Sequence, residues 1–282
     1  MQTIRHPVCA DDRWYPRDAA QLRFLLDDFF ANVSKPSDAG ELVALIAPHA
    51  GYQFSGQTAA HAYARIAHAQ YQRVVLLGPS HFEDFGAQAV NRAEFFETPL
   101  GDVPVDAKLL HELRAQVPVQ LVAQEREHSL EVQVPFLQRQ LKNFSLLPVM
   151  MSHPFYIFGE AVRGECETLA NALAPLTNDD TLLVASSDLS HLNNYEAVTH
   201  YDRNLQNIIV EYDVNALIEF MCNGGQPRAC GDMAIVTTML LAQLRGANTI
   251  RVFYRTNSGD VTGIKTPGQY TVGYMAAGIY KM

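Results

Sequence analysis

Three segments of this chain place a histidine or an aspartate just after a short apolar run. The first is Leu42-Val-Ala-Leu-Ile-Ala-Pro-His49-Ala-Gly-Tyr52, the second Val74-Val-Leu-Leu-Gly-Pro-Ser80-His81, and the third Leu182-Leu-Val-Ala-Ser-Ser-Asp188-Leu-Ser-His191. Neutral imidazole binds metals and transfers protons near physiological pH, and a carboxylate can share either task. Gly51 and Gly78 allow tight turns after the runs, while Pro48 and Pro79 stiffen them, which would hold the imidazoles in fixed directions. A histidine in a loop is more often a surface or turn residue than a ligand, and His61, His68, His111, His153 and His200 are read that way. The shared placement of His49, His81 and His191 weighs against that reading for those three.

Cys230 stands in Arg228-Ala-Cys-Gly-Asp232, just before a segment with helical spacing. A thiol at a helix N-terminus feels the positive end of the helix dipole, which predicts a lowered pKa and a thiolate able to ligate metal. Cys9, Cys166 and Cys222 lack that placement and are read as inert. The four cysteines are far apart in sequence, matching neither a C-x-x-C zinc clip nor a dense disulfide framework, so thiols are expected. In Glu125-Arg-Glu127-His128-Ser-Leu-Glu131, His128 and Glu131 are three apart and could share a helix face. Alternatively, Ser129 caps the helix and the charges are solvated. Both readings stand.

The elements that must position these groups follow from periodicity. Apolar β-rich runs at 42–47, 73–77, 146–150, 181–185, 250–254 and 270–279 predict strands. Helical spacing covers about 18–31, 56–67, 105–115, 129–141, 159–174, 195–210, 213–221 and 231–245. In the last of these, Met233, Val236, Leu240 and Leu244 form a core-facing stripe. Pro135 removes a backbone donor inside the 129–141 pattern and predicts a kink or a division there. Polar breaks at 34–40 and 176–180 are too short for linkers. Strands alternating with helices predict an α/β fold, a three-layer, mostly parallel sheet flanked by helices, in one domain spanning 1–282. In such a sheet, loops from several strands converge beyond the carboxyl ends, so three polar strand exits point to one site.

Composition narrows the function classes. The hydrophobic fraction of 48% and charged fraction of 18% fit an ordinary globular protein. A net charge of −9 without a basic run argues against nucleic-acid binding. No apolar run approaches a bilayer span and the N-terminal segment lacks the build of a signal peptide, so no membrane association and a cytoplasmic location are expected. G-x-x-x-x-G-K-[ST], strand-linked G-x-G-x-x-G, G-x-S-x-G and H-E-x-x-H do not occur, which removes the commonest nucleotide, hydrolase-elbow and zincin readings.

Ala47-Pro-His49-Ala-Gly-Tyr52, Phe54-Ser-Gly56, Gly78-Pro-Ser80-His81, Glu127-His128-Ser129, Ser186-Ser-Asp188-Leu-Ser-His191 and Ala229-Cys230-Gly231 occur in the order typical of the Memo family. Prokaryotic members of that family are often labelled AmmeMemoRadiSam system protein B. Arg5-His-Pro7 and Trp14-Tyr-Pro16 also resemble the family's start, so the resemblance covers nearly the whole chain. It implies a fold similar to class III extradiol dioxygenases, with a metal pocket at the strand ends. Carried over by position, His49, His81 and Cys230 are implied as metal ligands, with Asp188 and His191 beside them. In the dioxygenase relatives the third ligand is a carboxylate. Thiolate is softer, favouring copper, zinc or thiolate-tolerant iron, and it is itself oxidisable. Two imidazoles and one thiolate leave an open coordination position, as catalytic sites do.

The leading expectation is a mononuclear iron- or copper-dependent redox enzyme of the dioxygenase-like or oxidase kind, with His191 and Asp188 as catalytic residues. A second is a non-catalytic protein binding a peptide or small molecule in the same pocket, with Tyr52, Phe54 and Phe82 as walls or simply as core. A third is a zinc-dependent hydrolase. The resemblance also implies partners among AMMECR-type and radical SAM proteins.

Overall fold

In the computed structural model, which describes residues 3–34, 39–67, 69–86, 88–152, 159–222 and 228–282, the most β-prone runs form the centre of the main sheet. His68, His153 and the middle of the 34–40 break lie outside the described residues. In chain order the strands are β1 (Ile4–Arg5), β2 (Glu41–Ala47), β3 (Arg73–Pro79), β4 (Gln88–Asn91), β5 (Phe95–Thr98) and β6 (Gly101–Pro104). They continue with β7 (Gln120–Val122), β8 (Ser145–Met151), β9 (Thr181–Ser186), β10 (His191–Leu192), β11 (Thr249–Asn257) and β12 (Thr271–Lys281). The helices are α1 (Ala19–Ala31), α2 (Tyr52–Tyr63), α3 (Ala107–Arg114), α4 (Val134–Gln140), α5 (Glu160–Leu173), α6 (Tyr195–Val210), α7 (Val214–Cys222), α8 (Asp232–Leu244) and α9 (Ser258–Thr262).

The strand order in the main sheet is β10-β12-β2-β9-β3-β8-β4-β7, with β11 also paired to β12. Four neighbours at its centre, β2, β9, β3 and β8, run parallel. Antiparallel pairs β12·β2 and β4·β8 flank them. The register sets Ala47 beside Ser186 and Leu77 beside Ala185, so the carboxyl ends of β2, β3 and β9 finish along one edge. That edge is the ligand-binding position of open α/β sheets.

Parallel strands covered on both faces are apolar on both, and alternate residues divide between two cores. On one side Val75, Leu77, Leu183 and Ala185 pack with Cys166 and Leu169 of α5 and Val236 of α8. On the other, Val74, Leu76, Leu182 and Val184 pack with Leu22 of α1, Tyr63 of α2 and Phe136 of α4. The expected three layers result.

The spacing-based helices are present with ends shifted by a few residues, most at α2, which begins at Tyr52 and follows directly on the His49 exit. The 129–141 helix is divided as Pro135 predicted. A 3₁₀ turn covers Glu131–Gln133, and α4 then begins with Pro135 in its first turn, where the missing N–H breaks no bond. Helix α8 departs from its predicted stripe. It is buried almost all round against α5 and the sheet, while Leu244 emerges 54% exposed at its end. Gly51 stands at the turn from the His49 exit into α2 as its N-cap, whereas Gly78 departs from the expectation of a tight turn. Gly78 lies within β3, where a Cβ would come 2.7 Å from Leu130 Cδ2 and 2.9 Å from Ser129 Oγ, so it permits close packing.

Periodicity did not predict a small second sheet, β1-β5-β6, or the short elements β4, β7, β10 and α9. All are two to five residues long, and several depend on partners remote in sequence, as where Ile4 pairs with Phe95. Among the described residues no helix is long and apolar enough to cross a membrane.

Candidate metal centre

The three polar exits converge. Ligand atoms of His49, His81 and Cys230 lie within 4.8 Å of one another, as do those of Asp188, His191 and Cys230. A third such set, His81, Glu127 and His128, shares His81 with the first. The structure therefore brings together every residue singled out for the site and adds Glu127 and His128.

His49 is 1% exposed, and its tautomer follows from its neighbours. Its Nδ1 is 3.0 Å from Ser186 Oγ. Ser186 donates its own proton to Ser129 O at 2.6 Å and accepts one from Gln133 Nε2 at 2.8 Å. The remaining contact requires His49 Nδ1–H as donor, leaving a lone pair on Nε2. That Nε2 is 3.0 Å from Cys230 Sγ. Burial first, and then the neighbouring imidazoles, hold the pKa of His49 well below its usual value, so it stays neutral and able to ligate.

His81 is held by Glu127, whose carboxylate accepts from its backbone N at 2.5 Å and from its Nδ1 at 2.9 Å. Nε2 of His81 is thereby left as the lone-pair nitrogen. Glu127 also accepts from the backbone N–H of His128 at 2.9 Å and of Ser129 at 2.8 Å. Burial works to raise its pKa, but the His81 hydrogen bonds and nearby imidazoles outweigh that and bring it to about 2. A ligand histidine whose second nitrogen is fixed by a carboxylate is the usual outer arrangement of metal sites.

His128 stacks on His81, with ring centroids 4.5 Å apart and planes 21° from parallel, and its outer face meets Trp14 at 4.2 Å. Its Nδ1 is 3.3 Å from Glu127 Oε1, without hydrogen-bond alignment. Neither sequence reading of this cluster holds. Glu131 turns away from His128 and is fully buried, accepting from Tyr15 Oη at 2.5 Å, from the backbone N of Val8 and Cys9 at 2.8 Å each, and from Arg5. Ser129 caps nothing; its hydroxyl donates to Pro79 O at 2.7 Å, tying the 128 loop to the end of β3.

Asp188 accepts from the backbone N of His49 at 2.8 Å, linking the exits of β9 and β2. Burial pushes its pKa up to about 7, opposed by that hydrogen bond. His191 belongs to β10, where pairing with Val272 of β12 holds it over the strand ends. Its Nδ1 contacts Tyr270 Oη at 3.0 Å, while its buried Nε2, 4.0 Å from Asp188 Oδ2, has no hydrogen-bond partner.

The expected effect of the helix dipole on Cys230 is overturned. Burial, and then the proximity of Asp188, raise the thiol well above its ordinary value, because Cys230 precedes the N-cap Gly231 and sits among strand ends that exclude water. The Sγ accepts from Asp188 N at 3.2 Å, and its own proton has two acceptors in reach, the His49 Nε2 lone pair at 3.0 Å and Asp188 O at 3.6 Å. A cation bound between His49 Nε2 and Cys230 Sγ would take the place of the thiol proton. The imidazoles of His49 and His81, a displaceable thiol proton and the unpartnered His191 Nε2 are donors that could hold a metal ion.

His49, His81, His128, Asp188 and His191 form the floor of a cavity of about 650 Å³, with Cys230 behind His49 and outside the lining. Its walls include Trp14, Phe54, Ile264, Tyr270 and Tyr274. Of the three aromatics considered from sequence, Phe54 is a wall, Tyr52 is core with its hydroxyl on Val132 O at 2.7 Å, and Phe82 is half exposed beside His128. Trp14, Tyr270, Ser186 and Gln133 had no role assigned from sequence, because their link to the site is through tertiary packing. All four cysteines are free thiols. Burial pushes Cys9 and Cys166 up, Cys166 to about 12, consistent with inert behaviour. His61 stacks on Tyr254, and His111 and His200 are exposed, all three outside the cavity lining.

Fold and site together define an α/β protein with histidine and cysteine side chains gathered at the carboxyl edge of a parallel sheet, in groups able to bind a metal ion. Residues 5–278 match the family model described as Memo-like protein, and the chain belongs to the Memo family. It is similar to a MEMO1 family protein of Methanobrevibacter smithii, 31% identical over 99% of this chain and 100% of the relative. It is also similar to a MEMO1 family protein of Caldivirga maquilingensis, 30% identical over 85% and 84% of the two chains. The memo-1 homolog of Caenorhabditis elegans is 33% identical over 72% of this chain and 57% of its own. Among solved structures, an uncharacterized protein of Escherichia coli K12 shares the fold with a TM-score of 0.51 at 14% identity, covering 83% of this chain and 99% of that one.

Proposed function

We propose that this protein is a mononuclear redox metalloprotein holding iron or copper through His49, His81 and Cys230. The observation that carries the reading is the contact of His49 Nε2 with Cys230 Sγ at 3.0 Å, with His81 in the same cluster and Nδ1 of both histidines held elsewhere. Thiolate among the donors favours a soft or borderline ion over magnesium or calcium. A bound iron or copper ion would supply one-electron chemistry and Lewis acidity that the side chains lack.

The chain's own residues supply the rest. Ser186 and Glu127 fix the two imidazoles. Asp188 holds the His49 backbone against the end of β9. His191, with Nδ1 on Tyr270 Oη and a free Nε2 on the cavity floor, is placed to accept or deliver a proton at Nε2. Trp14 and His128 stack over the His81 side of the cluster.

The test is anaerobic reconstitution with Fe(II) or Cu(I), followed by exposure to oxygen and to small reductants. Oxygen uptake in wild type that falls at least about tenfold in His191→Gln, with metal content retained, is the expected result. Reconstituted protein that neither consumes oxygen nor changes its metal spectrum would leave the alternative that the apolar cavity favours, ligand binding without turnover. Zinc as the metal bound in cells would instead move the proposal to hydrolysis, with Asp188 or His191 activating water.

A further inference from the structure

The walls above the cluster carry information that the cluster does not. The cavity's volume, about 650 Å³, suits one small molecule rather than a polymer side chain or an inorganic ion alone. Trp14, Phe54, Ile264, Val272 and Tyr274 present mainly carbon to that space. The apolar surface continues outward, since of the lining residues Phe54 is 36% exposed, Ile264 49% and Tyr270 52%. Monomeric proteins rarely leave such a contiguous rim without an occupant for it.

The polar groups of the walls are already engaged. Among the described residues Arg13 is the one Lys or Arg side chain of the lining, and its guanidinium is bonded to Asp11, with Nε to Oδ2 at 2.8 Å. Gln53 Nε2 donates to Arg13 O at 2.8 Å, Thr262 Oγ1 donates to Ser258 O at 2.8 Å, and Ser258 Oγ accepts from Val272 N at 3.0 Å. An anion entering the upper cavity therefore meets no uncommitted cation, and a sugar meets few open hydrogen-bonding groups. Desolvating a carboxylate without a compensating partner is strongly unfavourable. Hydrogen-bonding capacity is concentrated at the floor, around His191 and Tyr270.

We infer that the cavity takes an uncharged, predominantly apolar small molecule with an aromatic body, inserted with its one polar group toward the His/Cys cluster. This rests on the reading of that cluster as the reactive centre, but the walls select the class whether or not a metal is bound. Aromatic rings at Trp14, Phe54 and Tyr270 favour a planar guest, which can stack or meet them edge to face.

Trp14 is the only tryptophan of the chain and lines the cavity, so its fluorescence reports occupancy directly. The probes are 4-nitrobenzyl alcohol and 4-nitrobenzoate, which match in size, both quench indole on contact, and differ in charge. Titration of the full chain as isolated is expected to give saturable quenching by the alcohol, at least about tenfold tighter than by the carboxylate. The same preference is expected in His49→Ala, which addresses metal binding separately: loss of metal there with unchanged preference supports both readings. Ile264→Asp, an exposed rim change that leaves the fold intact, is expected to weaken the alcohol at least about fivefold. Tighter binding of the carboxylate in either protein, or no saturable binding of the alcohol, would overturn the inference. So would an Ile264→Asp protein that binds it as wild type does.

Discussion

Four N–H groups point at the single carboxylate of Glu127, two of them from His81. Glutamine keeps the shape but offers one acceptor oxygen and no charge. Glu127→Gln is expected to weaken metal binding roughly tenfold to a hundredfold, read by competition with a chromogenic chelator. Unchanged affinity would remove Glu127 from the site. Its protonation has a second consequence in the metal-free protein. The folded pKa near 2 lies below the ordinary 4.5, so the stabilisation is complete above about pH 4.5 and is lost as pH falls toward 2. Asp202 has the opposite sign. Burial, partly offset by hydrogen bonds from Ser190, raises it from 3.8 to about 6, and its Oδ2 has no partner. Between those values the unfolded chain releases a proton that the folded chain keeps, so stability from this group declines as pH rises. Asp202→Asn is therefore expected to gain on wild type between pH 4 and pH 7, by on the order of 3 kcal/mol, in urea denaturation. A pH-independent difference between the two proteins would contradict this.

At the scale of elements, the N-terminal segment is fastened to the loop that carries Glu127 and His128. Arg5 of β1 bonds to both Glu125 oxygens, to Glu131 and to the carbonyl of Glu127 at 2.7 Å. Arg5→Met leaves the fully buried Glu131 without its cation and is expected to cost roughly 3–5 kcal/mol in chemical denaturation. A loss below 1 kcal/mol would show that the clasp is not a major support. Gly231 sets a second junction, where α8 begins against β9: a Cβ there would stand 2.4 Å from Ser186 O and 2.7 Å from Ser187 Cβ. Since backbone must move, Gly231→Ala is expected to destabilise by about 1–3 kcal/mol and to displace Cys230, lowering metal occupancy with it. Wild-type stability and occupancy would contradict that packing argument. The central strands and their polar exits were legible because apolar runs ending in Pro-His or Ser-Ser-Asp are local signals. The clasp was not, because Arg5 and Glu131 are ordinary charged residues until two chain segments 126 positions apart meet.

For the whole molecule, the parallel core converts three sequence-distant exits into one cluster, and the loops after β11 and around β12 build the cavity above it. His49, His81, Asp188 and His191 could be read from strand ends, whereas Cys230 needed a family resemblance and Trp14 needed the fold. The dipole argument misjudged the thiol because helix position is visible in sequence and burial is not. The most direct test of the central claim is elemental analysis of wild type, Cys230→Ser, His49→Ala and, as control, His61→Ala, all purified under identical conditions. About one transition-metal ion per chain in wild type and His61→Ala, falling at least about tenfold in the other two, is the expected result. Unchanged metal content in Cys230→Ser would contradict the assignment of the centre.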